Sequence, residues 1–207
     1  MIAIVDYKAG NLTSVRLALA ALGAEGTITS DPAVVRAADR VIFPGVGAIG
    51  AAMAGLRDLK LDTVLCEYIA SGRPFLGICI GMQVLFDRSE EDGGVAGLGL
   101  IGGQVKRFQP TDRRDKVPQI GWNTVRQTRP HPVLAGIPDD SEFYFVHSYY
   151  PSPVAKGDWL GETEFAGSRF ASIIARGNLV ATQFHTERSG RLGLQLMGNF
   201  LTWNGQC

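Results

Sequence analysis

Residues 74–83, PFLGICIGMQ, decide how the rest of the 207-residue chain is read. An apolar run ends in Gly77-Ile78-Cys79-Ile80-Gly81, and GMQVLFDRS continues in a helix-like pattern. G-I-C-I-G has the form of the nucleophile elbow G-x-S-x-G, with sulfur in place of oxygen. Glycines at 77 and 81 remove the Cβ atoms that would collide where a strand turns sharply into a helix. Cys79 is thereby lifted to the carboxyl edge of a sheet, where α/β proteins place their sites. The N-terminus of the helix that follows favours negative charge at that point. With glycine at 26 of 207 positions and three cysteines, composition alone would give roughly 0.05 such matches, before any strand-to-helix context is required. Cys66 sits in a helical pattern and reads as a buried thiol. Cys207 is terminal and carries no reading.

On both sides of the elbow the first half alternates. IAIVDY and RVIFPG read as strands. NLTSVRLALAALG, with Asn11 as cap and Gly23 as stop, reads as a helix, as does AIGAAMAGLRDL. CEYIASG continues helically before the strand RPFLGI. Such alternation predicts a parallel sheet covered on both faces. The second half changes to strand-like segments: GQVKRF, WNTVRQ, EFYFVHSYY, WLGETEF, FASIIARG and LVATQF. GRLGLQLMGNFLTW reads as a closing helix, and QPTDRRDK as a surface loop. The expected fold is a single α/β domain over residues 1–207. A mostly parallel central sheet is flanked by helices, with antiparallel additions in the C-terminal half.

The totals bound the function. Lysine plus arginine equals aspartate plus glutamate, at 20 each, which disfavours nucleic acid as main ligand. Three cysteines without patterned spacing predict no disulfide framework and a reducing, cytoplasmic setting. No cysteine and histidine cluster has zinc spacing, and no metal or other cofactor is expected. MIAIVDYKAG meets Asp6 at once and reads as a first strand rather than a leader. No apolar run is long enough for a membrane span.

A thiolate nucleophile needs a base. His131, in the proline-bracketed RPHPVL, reads as a solvated loop residue, and His147 as a strand end. His185, in VATQFHTE, lies where a buried-looking strand runs out. Glu187 is two residues on, and in an extended chain both side chains point the same way. The carboxylate would orient one ring nitrogen while the other faces Cys79. The oxyanion formed on attack needs preorganised donors. The Ile80 amide is one; PGVG at 44–47 ends another strand and would supply a second near Val46 or Gly47. A phosphate loop is the other functional reading of PGVG, but no Walker pattern accompanies it.

These segments, in this order, resemble the class I (triad-type) glutamine amidotransferases over nearly the whole chain. IVDYKAGN, FPGVGA, VPQIGWN and FYFVHSYY narrow the likeness to the glutaminase-subunit family of imidazole glycerol phosphate synthase, in histidine biosynthesis. The resemblance implies hydrolysis of glutamine through a thioester on Cys79, with His185 moving the protons. It assigns Gln83 and Glu91 to the glutamine pocket, Glu91 to the substrate's α-amino group. It implies delivery of ammonia to a (β/α)₈-barrel cyclase. That partner makes imidazole glycerol phosphate and an aminoimidazole carboxamide ribotide. Asn11, Trp122, Asn123, Tyr144 and Arg188 match the partner-facing positions. Thr186 stands where the family usually has proline, Gln119 where histidine is common and Lys8 where glycine is usual. Three other readings share the scaffold: an amidotransferase for another acceptor, a free-standing γ-glutamyl hydrolase and a non-catalytic regulatory module. IGWN and VHSYY argue against the first, and the intact Cys79, His185 and Glu187 against the last.

Overall fold

In chain order the computed structural model, which describes residues 1–8, 12–110, 112 and 114–206, opens with alternating elements. These are β1 (Ile2–Val5), α1 (Leu12–Ala21), β2 (Gly26–Thr29), α2 (Pro32–Ala37), β3 (Arg40–Gly45), α3 (Ile49–Asp58), α4 (Leu61–Ala70) and β4 (Phe75–Cys79). The short helix α5 (Ile80–Gln83) starts directly at the elbow. Then come β5 (Phe86–Ser89), β6 (Val95–Ala96), β7 (Ile101–Arg107), β8 (Gln119–Gln127), β9 (Ser141–His147) and β10 (Tyr149–Pro153). The chain continues through β11 (Trp159–Phe165), β12 (Ser168–Arg176) and β13 (Leu179–Thr182) into α6 (Gly190–Thr202). Asn11, expected as a cap and as a partner-facing residue, and Cys207 lie outside the described residues.

Among the described residues a nine-stranded sheet runs β2-β1-β3-β4-β13-β12-β11-β8-β9. It is parallel from β2 to β13 and antiparallel from β13 to β9. The change of direction follows the sequence. Helical crossovers return β1, β3 and β4 in one direction, while the later strands are joined by short turns that reverse the chain. Each β4 residue is buried, as a central strand covered on both faces requires. A smaller sheet, β10-β7-β5-β6, stands beside the antiparallel half. Phe108 and Tyr150 from its side pack against Phe170, at centroid distances of 5.6 and 5.7 Å. No helix among the described residues is long and apolar enough to cross a membrane.

Two expectations need correction, and two short elements escape the sequence reading. The helix expected over GMQVLFDRS stops at Gln83, and 86–89 is strand. Val84, Leu85 and Phe86 are all fully buried, so the three successive side chains do not keep a helix's exposed face. The Val84 and Leu85 carbonyls instead accept from the amides of Leu98 and Leu100. EFYFVHSYY does not stay in one sheet. It divides at Ser148, with β9 in the large sheet and β10 in the small one. Finally, β2 and α2 were not separate expectations, being only four and six residues long. The latter carries its own signal, Asp31 accepting from the Ala33 amide just before Pro32.

Candidate active site

Cys79 ends β4 with φ 56° and ψ −109°, the strained backbone of an elbow. The glycines make it possible. A Cβ on Gly81 would overlap the Phe43 carbonyl oxygen of β3, and one on Gly77 would lie 2.5 Å from the Gly81 carbonyl oxygen. The start of α5 can therefore sit directly on the neighbouring strand. In register, Cys79 faces Gly45 at the end of β3, and Ile78 faces Thr182 at the end of β13. The loop after β3 and the segment after β13 thus flank the sulfur from opposite sides. A hundred residues of sequence separation are closed by strand order alone.

The β13 extension carries His185. Its ring Nδ1 lies 2.8 Å from Glu187 Oε1, and the ring lines the same cavity as the Cys79 side chain. Burial by itself lowers the His185 pKa. Hydrogen bonds and charge from Cys79 and Glu187 outweigh it and push the value up to about 10. The pairing of His185 with Glu187 does not arise from the extended chain that the spacing suggested. His185 is extended, but a 3-10 turn begins at Thr186 and brings the carboxylate back under the ring.

Residues not anticipated from sequence hold this arrangement. Ser189 Oγ donates to the His185 carbonyl at 2.6 Å and accepts from the Tyr144 amide at 3.0 Å. The His185 amide in turn donates to the Tyr144 carbonyl at 3.0 Å. Gln183, fully buried, places Nε2 3.7 Å from the sulfur and accepts from Gln83 Nε2 at 2.9 Å. The sequence signals were slight: a buried-pattern glutamine two residues before a candidate base, and a serine just ahead of an amphipathic helix.

Cys79, His185, Glu187, Val46, Gly47, Ile80, Gln83 and Glu91 line one cavity of about 330 Å³. Glu91 is not a solvated loop residue. Its Oε2 accepts from the Ile49 amide at 2.8 Å, at the start of α3, and burial raises its pKa. The Ile80 amide is the first of a helix, where no intrahelical acceptor exists. The Val46 amide, expected as an oxyanion donor, is instead committed to the Tyr7 hydroxyl at 3.1 Å. His147 also lines the cavity. Its Nδ1 lies 2.7 Å from the Tyr149 carbonyl, and its Nε2 lies 2.9 Å from the Gln119 carboxamide. Burial pushes its pKa down to about 4, so it is a neutral, fixed ring. His131, expected in solvent, is 7% exposed and packs edge-on to Trp203. Burial first, then Arg129, lowers its pKa to about 4. The proline bracket folds the loop inward rather than outward.

Of the remaining expected residues Arg188 lines the cavity, and Tyr144 and Trp122 continue outward from it. Trp122 is 55% exposed and lies opposite Tyr144 across β8 and β9, with ring centroids 6.0 Å apart. The Arg188 guanidinium sits 4.8 Å from the Tyr144 ring centroid. Asn123 is turned aside, its Nδ2 donating to the Glu164 carbonyl at 3.0 Å. Ile120, 65% exposed on the same face of β8 as Trp122, extends the apolar rim. Among the described residues, no group of three or more His, Cys, Asp or Glu side chains is arranged to hold a metal ion.

This geometry can be set beside known proteins. Residues 3–202 match the family model for "Glutamine amidotransferase class-I". The chain is 50% identical to the imidazole glycerol phosphate synthase subunit HisH of Nitrosococcus oceani, covering 99% of this chain and 98% of that one. It is also 50% identical to the HisH subunit of Dehalococcoides mccartyi, over 97% and 96% of the two chains. In three dimensions it is similar to PurLQS from Thermotoga maritima. There the TM-score is 0.77 and the identity 17%, over 97% of this chain and 96% of that one. A solved glutamine amidotransferase gives a TM-score of 0.74 at 16% identity, over 97% of each chain.

Proposed function

The chain belongs to the class I glutamine amidotransferase family, in the group of imidazole glycerol phosphate synthase HisH subunits, and on that premise we propose how its site works. Glutamine enters the cavity with its side-chain amide at Cys79 and its α-amino group toward the free oxygen of Glu91. The Cys79 sulfur attacks the amide carbon. His185 gives its proton to the departing nitrogen, which leaves as ammonia, and a glutamyl thioester remains. Water, deprotonated by His185, then hydrolyses the thioester and returns the thiol. Glu187 holds the ring and stabilises its charged form, and Gln183 steadies the sulfur and Gln83 together. The Ile80 amide receives the oxyanion. The loop at Val46 and Gly47 is to complete the hole once its backbone reorients.

The observation that carries this reading is the meeting of the Cys79 elbow with the His185–Glu187 pair in one cavity. Ammonia released to neutral water would mostly become unreactive ammonium. The exposed Ile120, Trp122 and Arg188, with the half-buried Tyr144 between them, support docking of a partner that takes it directly, a (β/α)₈-barrel cyclase making imidazole glycerol phosphate. The direct test is glutaminase turnover with and without that cyclase and its ligand. Weak turnover alone and much faster turnover in the complex are expected. Equal rates in both conditions contradict the coupling.

A further inference from the structure

Tyr7 follows β1 and has no part in the chemistry set out above, yet its hydroxyl reaches the site. The oxygen accepts from the Val46 amide at 3.1 Å, and the O–H donates to the Val46 carbonyl at 3.1 Å. The amide belongs to the 45–46 peptide and the carbonyl to the 46–47 peptide. One hydroxyl thus pins both peptide planes flanking Val46. It arrives there by close packing. The ring is 2% exposed and stands edge-on to Phe43 at 5.5 Å. A Cβ on Gly45 would come within 2.7 Å of the hydroxyl, so only glycine at 45 admits it. On its other side the pinned segment is loose. Val46 is 37% exposed, and Gly47, at φ +87°, has nothing near the place of a Cβ. Burial pushes the Tyr7 pKa up to about 12, so the hydroxyl keeps the proton it needs to donate and accept together.

We propose that the Tyr7 hydroxyl is a latch that holds the Val46 backbone away from the oxyanion hole, and that unlatching it sets the basal rate. An N–H directed at Tyr7 is not available to an oxyanion at Cys79. Tyr7 is a positioning residue: it acts through the loop and touches no reacting atom. The latch rests on the glutaminase reading of Cys79.

The test is Tyr7→Phe, which keeps the ring and removes the oxygen. Glutaminase kcat and KM are measured with and without the cyclase, and exchange of the Val46 amide is followed by NMR in the free, unmodified chain. Without the cyclase, kcat of the variant should rise at least about fivefold, the worth of one neutral hydrogen bond. KM should change less than about twofold and the activation by the partner should shrink accordingly. The Val46 amide of the unmodified chain should be protected from exchange and become exposed in the variant. A folded variant whose basal kcat is unchanged or lower overturns the latch. So does an unprotected Val46 amide in the unmodified chain, a result that needs no variant to fold. Absence of glutaminase activity in the unmodified chain, even with the cyclase, would instead strike the underlying reading; the exchange measurement still tests the latch by itself.

Discussion

At His185 two neighbours oppose burial and win. An imidazolium in an apolar site is costly unless it is paired, and here the Glu187 carboxylate bonds the ring while Cys79 shares its cavity. The folded pKa stands above the ordinary one. This pairing therefore contributes stability that is fully present below pH 6.5 and lost as pH rises through about 10. Glu187→Gln removes the charge and keeps the shape. It should move the alkaline limb of the glutaminase pH profile downward by about one unit or more; an unmoved limb would mean that the carboxylate does not set the charge of the ring. Thr186 between them stands where proline is usual. His185 already has the extended backbone that precedes proline, and 186 opens a 3-10 turn. The Thr186 hydroxyl is buried without a partner. Thr186→Pro should raise stability by about 0.5–1 kcal/mol, read as a higher urea midpoint at constant slope. Destabilisation would show that the threonine side chain contributes packing not captured by its hydrogen bonding. At this scale the sequence singled out side chains that the structure brings into one cavity, because cysteine between glycines and His-x-Glu are local patterns. It could not name Tyr7, Gln183 or Ser189. Their contacts span 39, 104 and 45 residues, and nothing local marks them as different from core tyrosine, glutamine or serine.

Elements deliver those groups to one place. The elbow works because β3 and α5 approach so closely that no side-chain atom fits at 81. Gly81→Ala should then cost at least about 3 kcal/mol, the range of severe overpacking, measured by chemical denaturation; a loss under about 1 kcal/mol would show that the helix can shift without disturbing the strand. The strand-to-helix turn was legible from residues 74–83, since glycine spacing and an apolar run are both written locally. The end of that helix was not. Val84, Leu85 and Phe86 fit a helical face as well as a buried irregular turn, and only the Leu98 and Leu100 amides choose between them. Likewise the division of EFYFVHSYY at Ser148 depends on two different sheets offering partners, which alternation along one segment cannot reveal.

Over the whole molecule, strand order does the work that sequence proximity does not. β13 inserts beside β4 late in the chain, so His185 and Cys79 meet at the carboxyl edge of the parallel half. The antiparallel half supplies the rim, where Trp122 and Ile120 remain exposed. Aromatic anchors of this kind dominate association energies. Trp122→Ala should weaken cyclase binding about tenfold or more by calorimetry while leaving the melting temperature nearly unchanged. Unaltered affinity would move the docking face elsewhere. The parallel-then-antiparallel plan was readable from the change of pattern halfway along the chain. The second sheet was not, because its strands are short and find partners far away in sequence.

Covalent capture on Cys79 tests the central claim most directly. The chain, in complex with the cyclase and turning over glutamine, is quenched in acid and mapped by mass spectrometry. The account predicts a glutamyl thioester on the peptide bearing Cys79, and neither adduct nor turnover in Cys79→Ala. Steady turnover with no adduct at Cys79, and retained by Cys79→Ala, would contradict it.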